Sequence, residues 1–211
     1  MSSLKFIGNR LLNSAFQHPS KISGIQTRGF YGWLNAIFNR VDPERIKAVG
    51  PDRACAEWLI RCGASVKWVN SKHFLKDYNA LPVGGGPQYK IEEVDATDSA
   101  IMEVGFPHFK NCVLLRKIKL NNCAYIEDKS LIYLTNLLHE NLMWLEIVQC
   151  PNVTDKGLLT LKKMSALKVL HLENLPSVKD PQNVISILEE SLPKCQISYP
   201  PFTDENDEDI D

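Results

Sequence analysis

The chain has 211 residues, 44% of them hydrophobic, and a formal net charge of −1 at pH 7. This length and composition are typical of one globular domain, or of a small head joined to a short repeat array. The near-zero charge provides no overall attraction to nucleic acid or anionic lipid. No run approaches the roughly 18 consecutive apolar residues of a membrane-spanning helix.

The N-terminal residues 1–29 differ from the rest of the chain because they contain basic residues and serines but no Asp or Glu. Leu4, Ile7 and Leu11 recur at helical spacing. A basic, serine-rich, acid-free amphipathic helix is typical of a mitochondrial transit peptide, and we predict one over residues 1–29, ending near Arg28. A disordered basic arm is the alternative. A secretory signal is disfavoured because the segment lacks an uninterrupted apolar region.

Residues 30–90 do not repeat and are predicted to form a helical N-terminal capping domain. Asp42 and Asp52 each precede a helical pattern and are predicted to cap a helix. Residues 65–69 alternate between polar and apolar side chains, which predicts a strand. A repeat array needs such a cap because its end would otherwise expose core and unpaired strand groups. The core of this head is expected to contain its three tryptophans, Trp33, Trp58 and Trp68.

A nine-residue hydrophobic pattern occurs four times over residues 91–199. The copies begin at Ile91, Leu115, Leu142 and Leu167, so the pattern returns at the interval of about 20–29 residues that is typical of leucine-rich repeats. The pattern itself is also the signature of these repeats. One repeat cannot bury its apolar side alone, so the copies must stack. The sequence therefore predicts an α/β fold, a short right-handed leucine-rich-repeat solenoid of about four repeats.

The C-terminal residues 200–211 are predicted to be an acidic disordered tail, as is usual for such a charge run. The solenoid before it offers one continuous concave sheet, whose usual role is to hold another protein. The side chains predicted on this concave face are polar and mixed in sign, which suits a protein better than nucleic acid. We predict five of them as partner-binding residues, namely Asp95, Asn121, Glu146, His171 and Glu173.

Motifs of enzymatic chemistry are not found in this sequence. Gly84-Gly85-Gly86 is followed by Pro87 and Gln88, where a phosphate-binding loop would have Lys and Ser or Thr. The zinc-protease His-Glu-x-x-His, Cys-x-x-Cys and Gly-x-Ser-x-Gly patterns are missing as well. The sequence therefore predicts a protein that is not an enzyme.

Several short segments of the sequence resemble those of one protein family. Cysteine at the ninth position of the second and third copies is typical of the cysteine-containing subtype of leucine-rich repeat. The segments 32–36, 49–54, 61–64, 76–79 and 95–99 read GWLNA, VGPDRA, RCGA, KDYN and DATDS. These words resemble the family of mitochondrial ATP synthase subunit s, also called coupling factor B, over roughly residues 30–195. A sister family, which assists assembly of the membrane arm of respiratory complex I, shares this architecture.

This resemblance implies a non-catalytic matrix protein, peripherally associated with the inner membrane, that prevents proton leak through the membrane sector of ATP synthase. The alternative is an assembly factor for the membrane arm of complex I. A distant alternative is a leucine-rich-repeat substrate receptor for ubiquitin ligation, which the transit peptide disfavours because that machinery is cytosolic. The sequence leaves open whether the chain forms a homo-oligomer.

The resemblance also implies two kinds of site. Members of the family bind Mg²⁺ through backbone groups at positions that correspond to Gly63 and Thr97, and carboxylates such as Asp95 suit this hard cation. The alternative is that Gly63 only ends a helix and Thr97 is a strand residue. A Cys-x-Cys dithiol of the family reads Asn121-Asn122-Cys123 here, which leaves Cys123 as the candidate redox thiol. Its alternative role is a small buried apolar side chain.

Overall fold

The described part of the chain is built on one six-stranded sheet whose strands lie side by side in chain order. The strands are β1 (Ser65–Trp68), β2 (Ile91–Asp95), β3 (Lys117–Asn121), β4 (Trp144–Val148), β5 (Val169–Glu173) and β6 (Gln196–Ser198). Strand β1 runs antiparallel to β2, and every later neighbouring pair is parallel. The predicted α/β class is confirmed.

The structure is a computed structural model that describes residues 26–82, 86 and 89–200. Most of the predicted transit peptide and the acidic run from residue 201 onward lie outside these residues. The chain divides into two units, Met1–Leu34 and Asn35–Asp211. Helix α1 spans Gln26–Phe38, and only its residues 26–34 belong to the described part of the first unit. No helix in the described ranges has the length and apolar character needed to cross a membrane.

Helical segments connect the parallel strands, as parallel pairing requires a crossover. A 3-10 helix, Glu103–Phe109, lies between β2 and β3, and each of the three later connections contains an α-helix. The remaining α-helices are α2 (Pro43–Val49), α3 (Pro51–Arg61), α4 (Asp128–Leu138), α5 (Asp155–Thr160) and α6 (Pro181–Ser191). Helix α5 continues as the 3-10 turn Leu161–Lys163, and a further 3-10 turn is Tyr78–Ala80.

The nine-residue pattern coincides with the strands and their buried positions. Ile118 pairs with Leu145, which pairs with Leu170, and all three are fully buried. Each of the strands β2 to β5 is followed by a residue with a left-handed backbone, at the same place in every copy of the pattern. These residues are Asp98 (φ 57°), Asn122 (φ 53°), Gln149 (φ 51°) and Asn174 (φ 47°). Asp and Asn tolerate this conformation better than most residues do, which explains their recurrence at the turn.

The head supports one of the two predicted helix caps and corrects the other. Asp42 caps α2 by accepting the amide of Arg45 at 3.0 Å, as predicted. The prediction for Asp52 is wrong, because Gly50 stands at the start of α3. The buried carboxylate of Asp52 instead accepts the Ile91 amide at 3.0 Å and the Lys90 ammonium at 2.8 Å. It therefore fastens the head to the first parallel strand.

A buried amide links the head to the segment after β2. The side chain of Asn39 donates to the carbonyl of Ala100 at 2.9 Å and accepts from the Met102 amide at 2.8 Å. Its oxygen also accepts the indole N–H of Trp58 at 3.0 Å. Trp58 is fully buried, as predicted for the head core.

The predicted tryptophan core of the head is only partly correct. Trp68 is 9% exposed and packs edge-on against Tyr89, as expected of a core residue. The prediction for Trp33 is wrong, because this side chain is 60% exposed. The buried aromatic partners of Trp58 are instead Phe106 and Phe109, which follow β2. Phe106 and Phe109, from the segment after β2, therefore complete the aromatic core around Trp58 in place of Trp33.

Candidate functional site

The sheet presents one face of side chains that alternate with the buried core residues. We call it the open face. Strand pairing arranges it in rows that run across the strands. The middle row contains Asp95, Lys119, Glu146, His171 and Ser198, each opposite the next. It brings together three of the five predicted partner-binding residues.

A second row contains the other two predicted partner-binding residues. Asn121 pairs with Val148, which pairs with Glu173. Because these residues lie two positions further along the same strands as the middle row, the five predicted side chains share one face. Glu173 is exposed, whereas Val148 is 8% exposed and contributes apolar surface between its polar neighbours.

Side chains of the first two rows contact one another through an ion pair and hydrogen bonds. The ammonium of Lys119 lies 3.7 Å from the carboxylate of Glu146. The imidazole of His171 lies 2.8 Å from the Ser198 hydroxyl and 3.0 Å from the Glu173 carboxylate. These contacts within the chain therefore hold the side chains of Lys119, Glu146 and His171 in place.

A third row was missed by the sequence reasoning and contains a tryptophan. It runs from Glu93 through Lys117 and Trp144 to Val169. The Lys117 ammonium lies 4.2 Å from the centre of the Trp144 ring, a cation–π contact. The indole N–H of Trp144 is buried without a hydrogen-bond partner in the described residues. Large aromatic side chains of this kind often dominate binding at interfaces.

The strand pattern contained the signal for this row. In the third copy of the repeat, Trp144 stands one residue before a core position and two before Glu146, so its side chain must share the face of Glu146. An apolar side chain at a predicted exposed position is the informative exception. Lys67 marks the end of the row, where the Glu93 carboxylate raises the pKa of its ammonium group.

The two predicted magnesium positions lie on neighbouring segments. Ser65 pairs with Asp95, and the amide of Ala100 donates to the carbonyl of Cys62 at 2.8 Å, so the backbone at Gly63 passes beside Thr97. Gly63 follows α3 with φ 92°, a conformation that favours glycine. The two segments therefore lie side by side.

Carboxylates contribute little to that position. Asp95 accepts the Thr97 amide at 3.0 Å and its hydroxyl at 2.6 Å through a single oxygen, Oδ1. Asp98 accepts from the amide group of Asn122 at 2.7 Å. No cluster of three or more His, Cys, Asp or Glu side chains suited to a metal occurs among residues 26–82, 86 and 89–200. The donors that remain are backbone oxygens and the second oxygen of Asp95, which suit only a hard cation.

Cys123 is buried at the ninth position of its repeat. Its thiol donates to the carbonyl of Ala96 at 3.0 Å and lies 3.7 Å from the Ser99 hydroxyl. Cys150 occupies the equivalent place in the next repeat, and the interaction with its neighbouring thiol lowers the pKa of the Cys123 thiol. Full burial limits access to any soluble oxidant, since reactive cysteines are ordinarily at least partly exposed.

The fold and this face define a mixed α/β protein with an exposed sheet surface of paired charges around a tryptophan. Among protein-family models, none matches the chain. It is 45% identical over 173 residues to human mitochondrial ATP synthase subunit s, covering 81% of this chain and 86% of the relative. The bovine subunit s is 46% identical over the same shares. The chain belongs to the family of mitochondrial ATP synthase subunit s.

A more distant relative is the distal membrane arm assembly component 2 of Drosophila melanogaster. It is 25% identical over 211 residues, covering 93% of this chain and 73% of the relative. Its lower identity places it outside the closer group of subunit s proteins, and its name concerns a different assembly.

Proposed function

We propose that this chain is a non-catalytic accessory subunit of mitochondrial ATP synthase that binds the membrane sector of that enzyme and prevents proton leak through it. The observation that carries the proposal is the 45% identity to human subunit s over 81% of the chain. The site would lie on the matrix side of the inner membrane, with the protein held peripherally.

The architecture proposed for this role is a short right-handed leucine-rich-repeat solenoid of the cysteine-containing type. Three observations support it. The strands follow one another in parallel at the regular interval of the pattern, equivalent residues have left-handed backbones, and Cys123 and Cys150 are buried at one position. Connections between parallel strands are almost always right-handed. In such a solenoid the open face is the concave surface.

The open face is the proposed docking surface. Its middle row holds the ion pair Lys119–Glu146 and His171, which contacts Glu173, and apolar side chains lie on either side of that row, Trp144 and Val169 on one side and Val148 on the other. Large aromatic side chains among polar neighbours often contribute most of the binding energy at an interface. The partner would be a protein, because nucleic acid requires a continuous basic stripe.

Co-purification separates this proposal from its alternative. The tagged protein is expressed in mitochondria, the inner membranes are solubilised with mild detergent, and the complexes that co-elute are resolved. We expect intact ATP synthase with the wild-type protein and much less with Trp144→Ala, while a Lys72→Gln control on a remote exposed lysine retains it. Co-elution of complex I assembly intermediates instead would favour the alternative, which the Drosophila relative supports.

A magnesium site at Gly63 and Thr97 is proposed as a further property of the family. It would join the end of α3 to the segment after β2 through backbone oxygens. A ligand that binds only the folded state raises the melting temperature by mass action. Millimolar Mg²⁺ should therefore raise the melting temperature relative to chelator, and Asp95→Asn should reduce the effect. An equal melting temperature with Mg²⁺ and with chelator would remove the site.

A further inference from the structure

The helices on the other side of the sheet carry exposed apolar side chains where a solvated helix would be polar. On α4, Ile132 is 43% exposed and Tyr133 is 42% exposed. Lys129 is exposed three and four positions earlier, so the three side chains form one stripe along the helix. Val104 is 48% exposed on the 3-10 helix that packs beside α4.

Lysines on the next helix extend this stripe sideways. Lys156 follows Lys129 by the same interval of sequence that separates the paired residues Lys117 and Trp144, so it occupies the equivalent place in the next unit. Lys163 follows Asn136 of α4 by that interval too. We call Lys129, Ile132, Tyr133, Lys156 and Lys163 the helix-face patch.

The two helices are held in contact, so the patch is a continuous surface. The carboxylate of Asp128 on α4 accepts the amide of Thr154 at 2.8 Å and its hydroxyl at 2.7 Å. Gly157 of α5 lies so close to Asp128 that a Cβ would come within 2.3 Å of the carboxylate oxygen. The side chains on the outside of both helices therefore project from one shared surface.

Charges in the patch lack partners, unlike those on the open face. Within the described residues, no carboxylate lies within 4.0 Å of the ammonium groups of Lys129, Lys156 or Lys163. The nearest acids in sequence, Asp128 and Asp155, direct their oxygens to the backbone of the following unit. The positive charge of the patch is therefore available to an external anion.

We propose that the helix-face patch binds the surface of a bilayer that contains anionic phospholipid. Lysines attract anionic headgroups, and their long stems can lie along apolar surface while the charge stays in water. Tyrosine and aliphatic side chains enter the headgroup region of the bilayer. Nucleic acid also has phosphates, but its backbone offers no apolar region to bind Ile132, so the patch favours lipid. The inference rests on the peripheral membrane association in the proposed function, and assigns it to a surface opposite the docking face.

The test measures which lysines a membrane covers. The full-length protein is treated with an amine-acetylating reagent, alone and with vesicles of phosphatidylcholine or of phosphatidylcholine with cardiolipin, and each lysine is read by mass spectrometry. We expect cardiolipin vesicles to protect Lys129, Lys156 and Lys163 but not Lys72, Lys76 and Lys194, which are exposed elsewhere. The readout is specific for each site, so binding by the basic residues 1–29 does not obscure it.

Variants supply the second measurement. Exchange of the three patch lysines for Gln should weaken sedimentation with cardiolipin vesicles, by roughly fivefold for each lysine that contacts the surface. The Ile132→Ser, Tyr133→Ser variant should weaken it without changing charge. Lys72, Lys76 and Lys194 exchanged for Gln form the control with the same net charge, and should match the wild type. Circular dichroism melting confirms that each variant is folded.

Other outcomes overturn the proposal. Equal acetylation of the patch with and without cardiolipin, or equal losses in the patch and control variants, would show that lipid does not bind there. If vesicles fail but the patch variant loses binding to ATP synthase in detergent, the patch is a protein-binding surface. Binding of wild-type protein to ATP synthase in detergent tests the proposed function separately, since no vesicle is present.

Discussion

The open face and the helix-face patch differ in whether their charged side chains have partners within the chain. On the open face, lysines and His171 lie next to glutamates, as in Lys67 with Glu93 and Lys119 with Glu146. In the helix-face patch, no carboxylate of the described residues lies within 4.0 Å of the lysine ammonium groups, and the exposed side chains beside them are Ile132 and Tyr133. The open face therefore carries charges of both signs in contact with one another, whereas the helix-face patch combines unpaired lysines with apolar side chains.

This difference bears on the kind of partner that each face can hold. Paired charges have fixed positions and mixed sign, which favours discrimination between protein surfaces. Unpaired lysines attract any extended anionic surface with little selectivity. If both proposals hold, a single chain would bind a protein complex with the open face while the helix-face patch contacts the membrane around it.

The largest effect is expected in the core between the faces. Leu145 is fully buried and pairs with Ile118 and Leu170 on the neighbouring strands. Leu145→Ala should lower the free energy of unfolding by about 2–5 kcal/mol, as core truncations do. The adjacent open-face variant Glu146→Gln is the control and should change it little. Urea unfolding measures both, and a loss below about 1 kcal/mol for Leu145→Ala would mean that the strand register is wrong.

The contact between α4 and α5 should be sensitive to one methyl group. At Gly157 a Cβ would lie 2.3 Å from the Asp128 carboxylate and 3.0 Å from its Cα, which belongs to the backbone and cannot rotate away. Gly157→Ala should destabilise by about 1–3 kcal/mol, despite the higher helix propensity of alanine. Gly32→Ala has open space around it and should be neutral or stabilising. Thermal unfolding that ranked the two variants in the opposite order would contradict the close packing that holds the helix face together.

A smaller, pH-dependent effect is expected at Asp155. The backbone amides of Lys179 and Asp180 donate to its carboxylate at 2.9 Å each and lower its pKa. A lowered folded pKa contributes stability above the unfolded value of about 4, and this contribution disappears as the pH falls through the folded pKa. Asp155→Asn should cost about 1 kcal/mol at pH 7, a modest value because the carboxylate is only partly buried and solvent weakens its interactions. The cost should shrink toward pH 2, and a constant cost in urea unfolding across this range would contradict the assignment.

Periodicity in the sequence was sufficient to predict the strands and their core positions. Each repeat is a local pattern, so Leu145 and its equivalents could be placed without knowledge of distant residues. Asp42 was correct for the same reason, since its capping partner Arg45 is three residues away. The open-face location of Asp95, Asn121, Glu146, His171 and Glu173 followed from the alternation of a strand. Whether these residues bind a partner stays a prediction.

Contacts between distant segments could not be predicted in this way. The carboxylate of Asp52 bonds to residues 38 and 39 positions later, so its local helix-capping signal was misleading. Asn39 reaches Ala100 and Met102 from 61 and 63 positions away. His108 lies buried and stacked on Trp58, which no spacing in the sequence indicates. These residues join the head to the first repeat, where no periodic pattern constrains the packing.

The most direct test reverses the charge of Glu146 and Glu173 together on the open face. Glu173 is exposed, whereas the Glu146 side chain is 15% exposed and lies 3.7 Å from Lys119, so Glu146→Lys with Glu173→Lys should lower the free energy of unfolding by about 1 kcal/mol and leave the protein folded. Like-charge contacts across an interface are costly, so binding to the membrane sector should weaken strongly. Inner-membrane particles depleted of subunit s should regain a proton gradient with the wild-type protein and fail to do so with the folded double variant. Equal recovery with both proteins would contradict the assignment of the open face as the docking surface.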